Sequence, residues 1–167
     1  MESIQHTMSF TSQPRKYYIL RIGNGHNFKN SSKYSIWGIR KRNRSFLNTV
    51  KLGDVLIFVK NKTKTDTNIG KIVAIAEFDQ LRNRETGPLI SLTATNNDLG
   101  WTGDIADNCE VELVYKNLKN VSGCELYTGL KGQSTIVDYD NVKEKISLNI
   151  PFEYLMMKKY AIVKNHM

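Results

Sequence analysis

The chain has 167 residues, of which 40% are hydrophobic and 10% aromatic, the size and composition of one domain with one core. No apolar stretch approaches the roughly 18 to 20 residues that cross a bilayer, and the opening segment lacks the apolar region of a secretory signal, so an intracellular protein with no membrane partner is expected. The net charge of +8 is unevenly spread: residues 1–71 carry 14 Lys and Arg against 3 Asp and Glu, and residues 72–167 carry 10 against 13, a split of +11 and −3. Such a basic half suits a polyanionic partner, because Lys and Arg release counterions condensed on phosphates; a solvated basic face accounts for charge alone equally well.

Residues 1–15 show no hydrophobic periodicity and read as a flexible tail, with a single domain over 16–167. Tyr17 to Ile22 (YYILRI) reads as a first strand, stopped by the turn former Gly23-Asn24-Gly25. A polar loop, His26 to Lys33, leads to a short extended segment, Tyr34 to Trp37, and then to the basic run Arg40-Lys41-Arg42-Asn43-Arg44. Ser45 is placed to cap a short helix that puts Phe46, Leu47 and Val50 on one face and ends before Gly53. Val55 to Val59 and Lys71 to Phe78 are apolar runs of strand length and are expected to pair as a hairpin across a Lys- and Thr-rich loop.

Further on, Leu89 to Leu92 is a weak strand or helix edge, and Asn96 to Asn108 is a loop containing the second tryptophan, Trp101. Glu110 to Tyr115 alternates charged and apolar residues, as a half-buried strand does. Short β-like pieces follow at Cys124 to Tyr127, Thr135 to Val137 and Ile146 to Ile150, and Pro151 to Leu155 suits a first helical turn, with Tyr160 to Val163 as a candidate last strand. The fold class is therefore α+β, mostly β: a curved sheet or pseudo-barrel of five to seven strands with a few short helices.

The order of these elements resembles the YTH and EVE domains of the PUA-like superfamily. Lys33-Tyr34-Ser35-Ile36-Trp37 resembles the YTH segment that brings a tryptophan to a modified-base cage, and Gly53-Asp54 ahead of Val55 resembles the way the corresponding strand begins in EVE domains. Gly70 to Phe78 is similar to the next strand in both. The resemblance covers roughly 17–115; residues 79–99 do not reproduce the YTH pattern around its second aromatic, and 116–167 are placed only as a closing part of the sheet.

What the resemblance implies is a module that captures one base, a modified one, from RNA or DNA. A base is a flat polarizable ring with a hydrogen-bonding edge, so selection needs aromatic faces and a few polar rim groups. Trp37 would be one wall and Trp101 the other. A strand tryptophan taken alone is as a rule a core residue, and only the resemblance turns that reading. Asn24 and the backbone and hydroxyl of Ser35 are the candidates for reading the edge, although Asn24 between glycines is also an ordinary turn former. Arg40, Lys41, Arg42 and Arg44 would hold phosphates at the pocket mouth.

Two other classes compete. An enzyme acting on nucleotides or nucleic acid needs a catalytic constellation, and three histidines, two of them near the ends, with no phosphate-binding glycine loop or zinc pattern, offer none; no cofactor or metal is expected. A protein-interaction module would instead bury Trp37 and Trp101 against a partner chain. Cys109 and Cys124 are too few for a disulfide framework and read as reduced thiols.

Overall fold

The computed structural model describes residues 15–23, 25–61, 69–83, 110–128, 136–144 and 146–148, together with Phe152 and Leu155. Alternation organises it from the first strand. In β1, Tyr17–Arg21, Tyr18 and Leu20 face one apolar layer while Ile19 faces another. Strand β3, Val55–Asn61, repeats the pattern, with Leu56 and Phe58 on the first side and Val55, Ile57 and Val59 on the second. A strand apolar on both faces belongs inside a sheet covered on both sides, and β1 and β3 do pair, in parallel, Tyr17 opposite Val55 and Arg21 opposite Val59.

Parallel pairing requires a crossover. The chain makes it through α1 (His26–Ser31), a 3₁₀ turn (Ser32–Tyr34), β2 (Ile36–Ile39) and α2 (Arg44–Thr49). Strand β2 does not join its sequence neighbours but lies against β5, Val111–Thr128. With β4 (Ile69–Asn83), β6 (Ile136–Asp138), α3 (Tyr139–Val142) and β7 (Ile146–Leu148), the sheet runs β2-β5-β4-β3-β1-β6, and β7 pairs with β5. The mostly β class and the strand number are thus as expected, and the two apolar runs of β3 and β4 form an antiparallel pair. No helix among the described residues is long and apolar enough to cross a membrane.

Bulges bend this sheet. Phe58 stands opposite Ala74 but Val59 opposite Ile72, so Val73 is an extra residue, and it packs on the same apolar layer as Ala74. Between β4 and β5 the register breaks three times, and Asn117, inside one break, has φ 55°. Each extra residue raises the local twist, which lets two long strands curl instead of lying flat. The separate pieces expected over 110–128 are for this reason one strand of 18 residues: the bulges interrupt the alternation by which a strand is recognised.

Four other expectations are corrected. His26 to Lys33 is helical, not a loop: Gly25, at φ 86°, accepts the first helical bond from Lys29 N–H at 3.0 Å, and Phe28 is buried. The expected extended segment begins later, at Ile36, after Ser35 has taken a left-handed conformation. In α2 the cap position is Asn43 rather than Ser45, without a side-chain capping bond, though the helix still buries Phe46 and ends before Gly53. Glu112, expected on the wet side of a half-buried strand, is 0% exposed; its Oε2 is 3.8 Å from Nη1 of Arg82, its cross-strand partner on β4.

The Gly53-Asp54 pair has a structural task. Gly53 turns at φ 89°, and the buried carboxylate of Asp54 accepts from Lys51 N–H at 2.9 Å and Lys16 N–H at 3.1 Å. One side chain thereby closes the turn into β3 and fixes the start of β1. Cys124 is buried, and Cys109, residues 1–14 of the expected 1–15 tail, and the segments 89–92, 96–108 and 160–163 lie outside the described residues.

Candidate nucleic-acid interface

Among the described residues strand β2 is an edge of the sheet, and its residues are sorted sharply: Ile36 and Ile39 are 0% and 2% exposed, while Trp37 between them is only partly buried. Trp37 stands opposite Leu113 on β5 and packs against the apolar layer that contains it. Its ring meets Phe28 of α1, and Phe28 packs in turn on Phe58 (centroids 4.6 Å apart) and Phe58 on Tyr115 (5.2 Å). An aromatic row runs from the sheet edge to the core. Such a row fixes ring orientation by edge and face preferences as well as by burial, so Trp37 is held in place on one side and open on another.

Ser35 sits immediately before, at φ 58° and ψ 41°. Its N–H donates to Ser32 O at 3.2 Å and its carbonyl accepts from Tyr115 N–H at 3.0 Å. Both backbone groups are thereby used within the fold. The left-handed backbone turns the chain out of the 3₁₀ turn and into β2, which sets the direction of Trp37. A non-glycine residue held there stores strain, commonly at a binding site or a forced turn.

The basic run follows the other end of β2. Arg40 is partly buried and Lys41, Arg42 and Arg44 are exposed to differing degrees, with Asn43 Nδ2 donating to Arg40 O at 3.2 Å to shape the turn. None of Arg40, Arg42 and Arg44 is ion-paired with a described acid. The arrangement is a row of cations on a turn beside the strand that carries Trp37. Asn24 and Trp101 lie outside the described residues.

Sequence reasoning missed a neighbouring cavity of about 540 Å³, lined by Ile22, Phe28, Lys29, Lys60, Val73 and Asn120 among others. Phe28 contributes to it and also touches Trp37, which does not line it. The available signal was Phe28, a large apolar aromatic in the otherwise polar segment from His26 to Lys33. Tyr115, beneath Phe58, is 2% exposed, and its hydroxyl has no hydrogen-bond partner among the described residues; burial pushes the phenol's pKa well up. Among the described residues no group of three or more His, Cys, Asp or Glu is placed to hold a metal ion.

No family model matches the chain, and no curated protein matches it. Among solved structures it is similar to a crystal structure of the Mmi1 YTH domain, at 15% identity and a TM-score of 0.48, covering 89% of this chain and 91% of that one. A second structure of that domain matches at 14% identity and TM-score 0.45, with 89% and 98% covered. A hypothetical protein from Leishmania major matches at 12% identity and TM-score 0.40, with 89% and 96% covered.

Proposed function

We propose that the protein is a nucleic-acid-binding module that captures one base, a modified one, against Trp37, with Arg40, Lys41, Arg42 and Arg44 holding the phosphates beside it. The observation that carries this reading is the exposure of Trp37: a ring supported by Phe28, between two isoleucines that are buried, is left partly open on an edge strand of a basic half-chain. Base stacking on such a ring contributes about 1 to 3 kcal/mol. A methyl group on the base adds apolar surface at roughly 0.8 kcal/mol per buried carbon, which gives an aromatic pocket its preference for the modified form. Trp101 as the second wall, and Asn24 with the Ser35 hydroxyl at the base edge, complete the proposed site.

Single-stranded RNA is the favoured polymer, since sequence-selective RNA recognition takes splayed bases on aromatic side chains while phosphates are held electrostatically. The deciding experiment is a binding panel of single- and double-stranded RNA and DNA oligonucleotides, each with and without a methylated base, read by Trp fluorescence and anisotropy. The reading expects a modified single strand to bind best, with quenching of Trp37 and an affinity that falls steeply with salt. Equal binding of modified and unmodified strands would remove the modified base, and salt-insensitive binding would remove the phosphate contacts.

A further inference from the structure

The cavity beside Phe28 is separate from the Trp37 face and has its own chemistry. Its apolar lining is Ile22 at the end of β1, Phe28 on α1 and Val73, the extra residue of the β4 bulge, which the bulge turns onto this side. Lys29 and Lys60 line it from opposite elements, the helix and the end of β3, and Asn120 brings an amide from β5. Neither lysine is ion-paired with a described acid. The Lys60 stem is held at the start of the helix, where a Cβ added to Gly25 would lie 3.5 Å from Lys60 Cδ.

We infer that this cavity is a second nucleotide subsite, taking a nucleotide of the same strand that presents a base to Trp37. The inference rests on the proposed nucleic-acid reading and deepens it. At about 540 Å³ the cavity falls within the roughly 300 to 1,000 Å³ of small-ligand pockets. The three apolar residues offer a base face a dry surface, the two ammonium groups match a phosphate, and the Asn120 amide, both donor and acceptor, meets a base edge or a sugar hydroxyl. A neutral peptide would leave two cations without counter-charge, and a lipid chain would meet lysines and an amide on the lining. Because Phe28 touches both places, the two nucleotides would be held on either side of one aromatic ring.

The test compares the parent with a Lys29→Ser/Lys60→Ser double variant, whose two changes lie on helix and strand surfaces outside the buried core. Oligonucleotides of increasing length are titrated by anisotropy, and adenosine and uridine monophosphates by methyl NMR of Ile22 and Val73. Expected are shifts of both methyl signals, a gain in affinity when one nucleotide is added beyond the minimal strand, and loss of that gain, about tenfold, in the double variant. Its salt slope should also be shallower by about 0.7 for each phosphate of a single strand that the variant no longer neutralises. If oligonucleotides bind and quench Trp37 while the Ile22 and Val73 signals stay still and the variant matches the parent, the subsite is overturned and the Trp37 reading stands. If mononucleotides shift those signals and no oligonucleotide engages Trp37, the Trp37 reading fails and the shared-strand subsite with it, leaving a separate mononucleotide pocket. Shifts from neither ligand overturn the subsite outright.

Discussion

Trp37 and Phe28 meet with ring centroids 6.0 Å apart at 62°, an edge-to-face contact between an edge strand and a helix of one and a half turns. The contact joins the open ring of β2 to the core ring of α1, so substitution at Trp37 has both a packing and a binding consequence. The two separate by choice of replacement.

Trp37→Phe keeps an aromatic ring against Phe28 and narrows the stacking surface. The variant is expected to melt within a few degrees of the parent and to lose less affinity for the preferred oligonucleotide than full removal of the ring does. Trp37→Ala should lose about 1 to 3 kcal/mol of affinity and also about 2 kcal/mol of stability, below the 3 to 5 kcal/mol typical of a deeply buried tryptophan because this one is partly exposed. Calorimetric melting and anisotropy on both variants check this. Parent-like binding by Trp37→Phe and Trp37→Ala would place the base elsewhere.

Changing Arg40, Lys41, Arg42 and Arg44 together to Ser should weaken modified and unmodified strands by a similar factor, since phosphate contacts position a strand without specifying it. The residues are exposed or partly so, and the fold should survive. A change in base preference with affinity intact would contradict their assignment to the backbone.

Ser35 separates stability from recognition. At φ 58° a side chain costs roughly 1 kcal/mol that glycine avoids, so Ser35→Gly is expected to melt at the same temperature or a few degrees higher. If the hydroxyl contacts the base, the same variant binds more weakly despite being no less stable. Unchanged affinity would remove Ser35 from the site and leave it a turn residue.

Burial raises the phenol pKa of Tyr18, against an opposing hydrogen bond to Thr49, and raises that of Tyr115 further. In both cases the neutral form is favoured in the folded state. Their contribution to stability is complete below the ordinary tyrosine value of 10.0 and is lost as pH rises above it. Melting temperature should therefore fall as pH rises above about 10, with the Tyr115 phenol titrating later than an ordinary tyrosine. Tyr115→Phe, which removes a buried hydroxyl without a described partner, should melt no lower than the parent at neutral pH and lose less stability in alkali. A clear loss at neutral pH would show that the hydroxyl is hydrogen-bonded.

The readable parts of the sequence were those where one period governs a whole element. Leu56, Ile57 and Phe58 are apolar in succession because both faces of β3 are covered, and the run is visible without a structure. Helix α1 was hidden because Phe28 is its one large apolar anchor, and a single residue has no period. The length of β5 was hidden by Asn117 and the two neighbouring register breaks, each of which resets the alternation. Glu112 misled for a different reason: a charge at an alternating position signals solvent only if nothing covers it, and here it is buried beside its cross-strand partner Arg82. Of the proposed interface, Trp37 was singled out only by the resemblance of its segment and the basic run by its position after it, whereas the cavity joins β1, α1, β3, β4 and β5, a long-range coincidence that local pattern does not encode.

Strand β2 waits for a partner made much later. Its ladder runs from Ile36 opposite Val114 to Ile39 opposite Val111, so while the chain is being synthesised the segment carrying Trp37 has no strand to lie on until Val111–Val114 has emerged. Strands β1, β3 and β4 precede that point and pair with one another without it. The basic run is thus made early and Trp37 is seated late. A chain stalled before Val111 would carry the cations of the N-terminal half while Trp37 still had no strand to lie on.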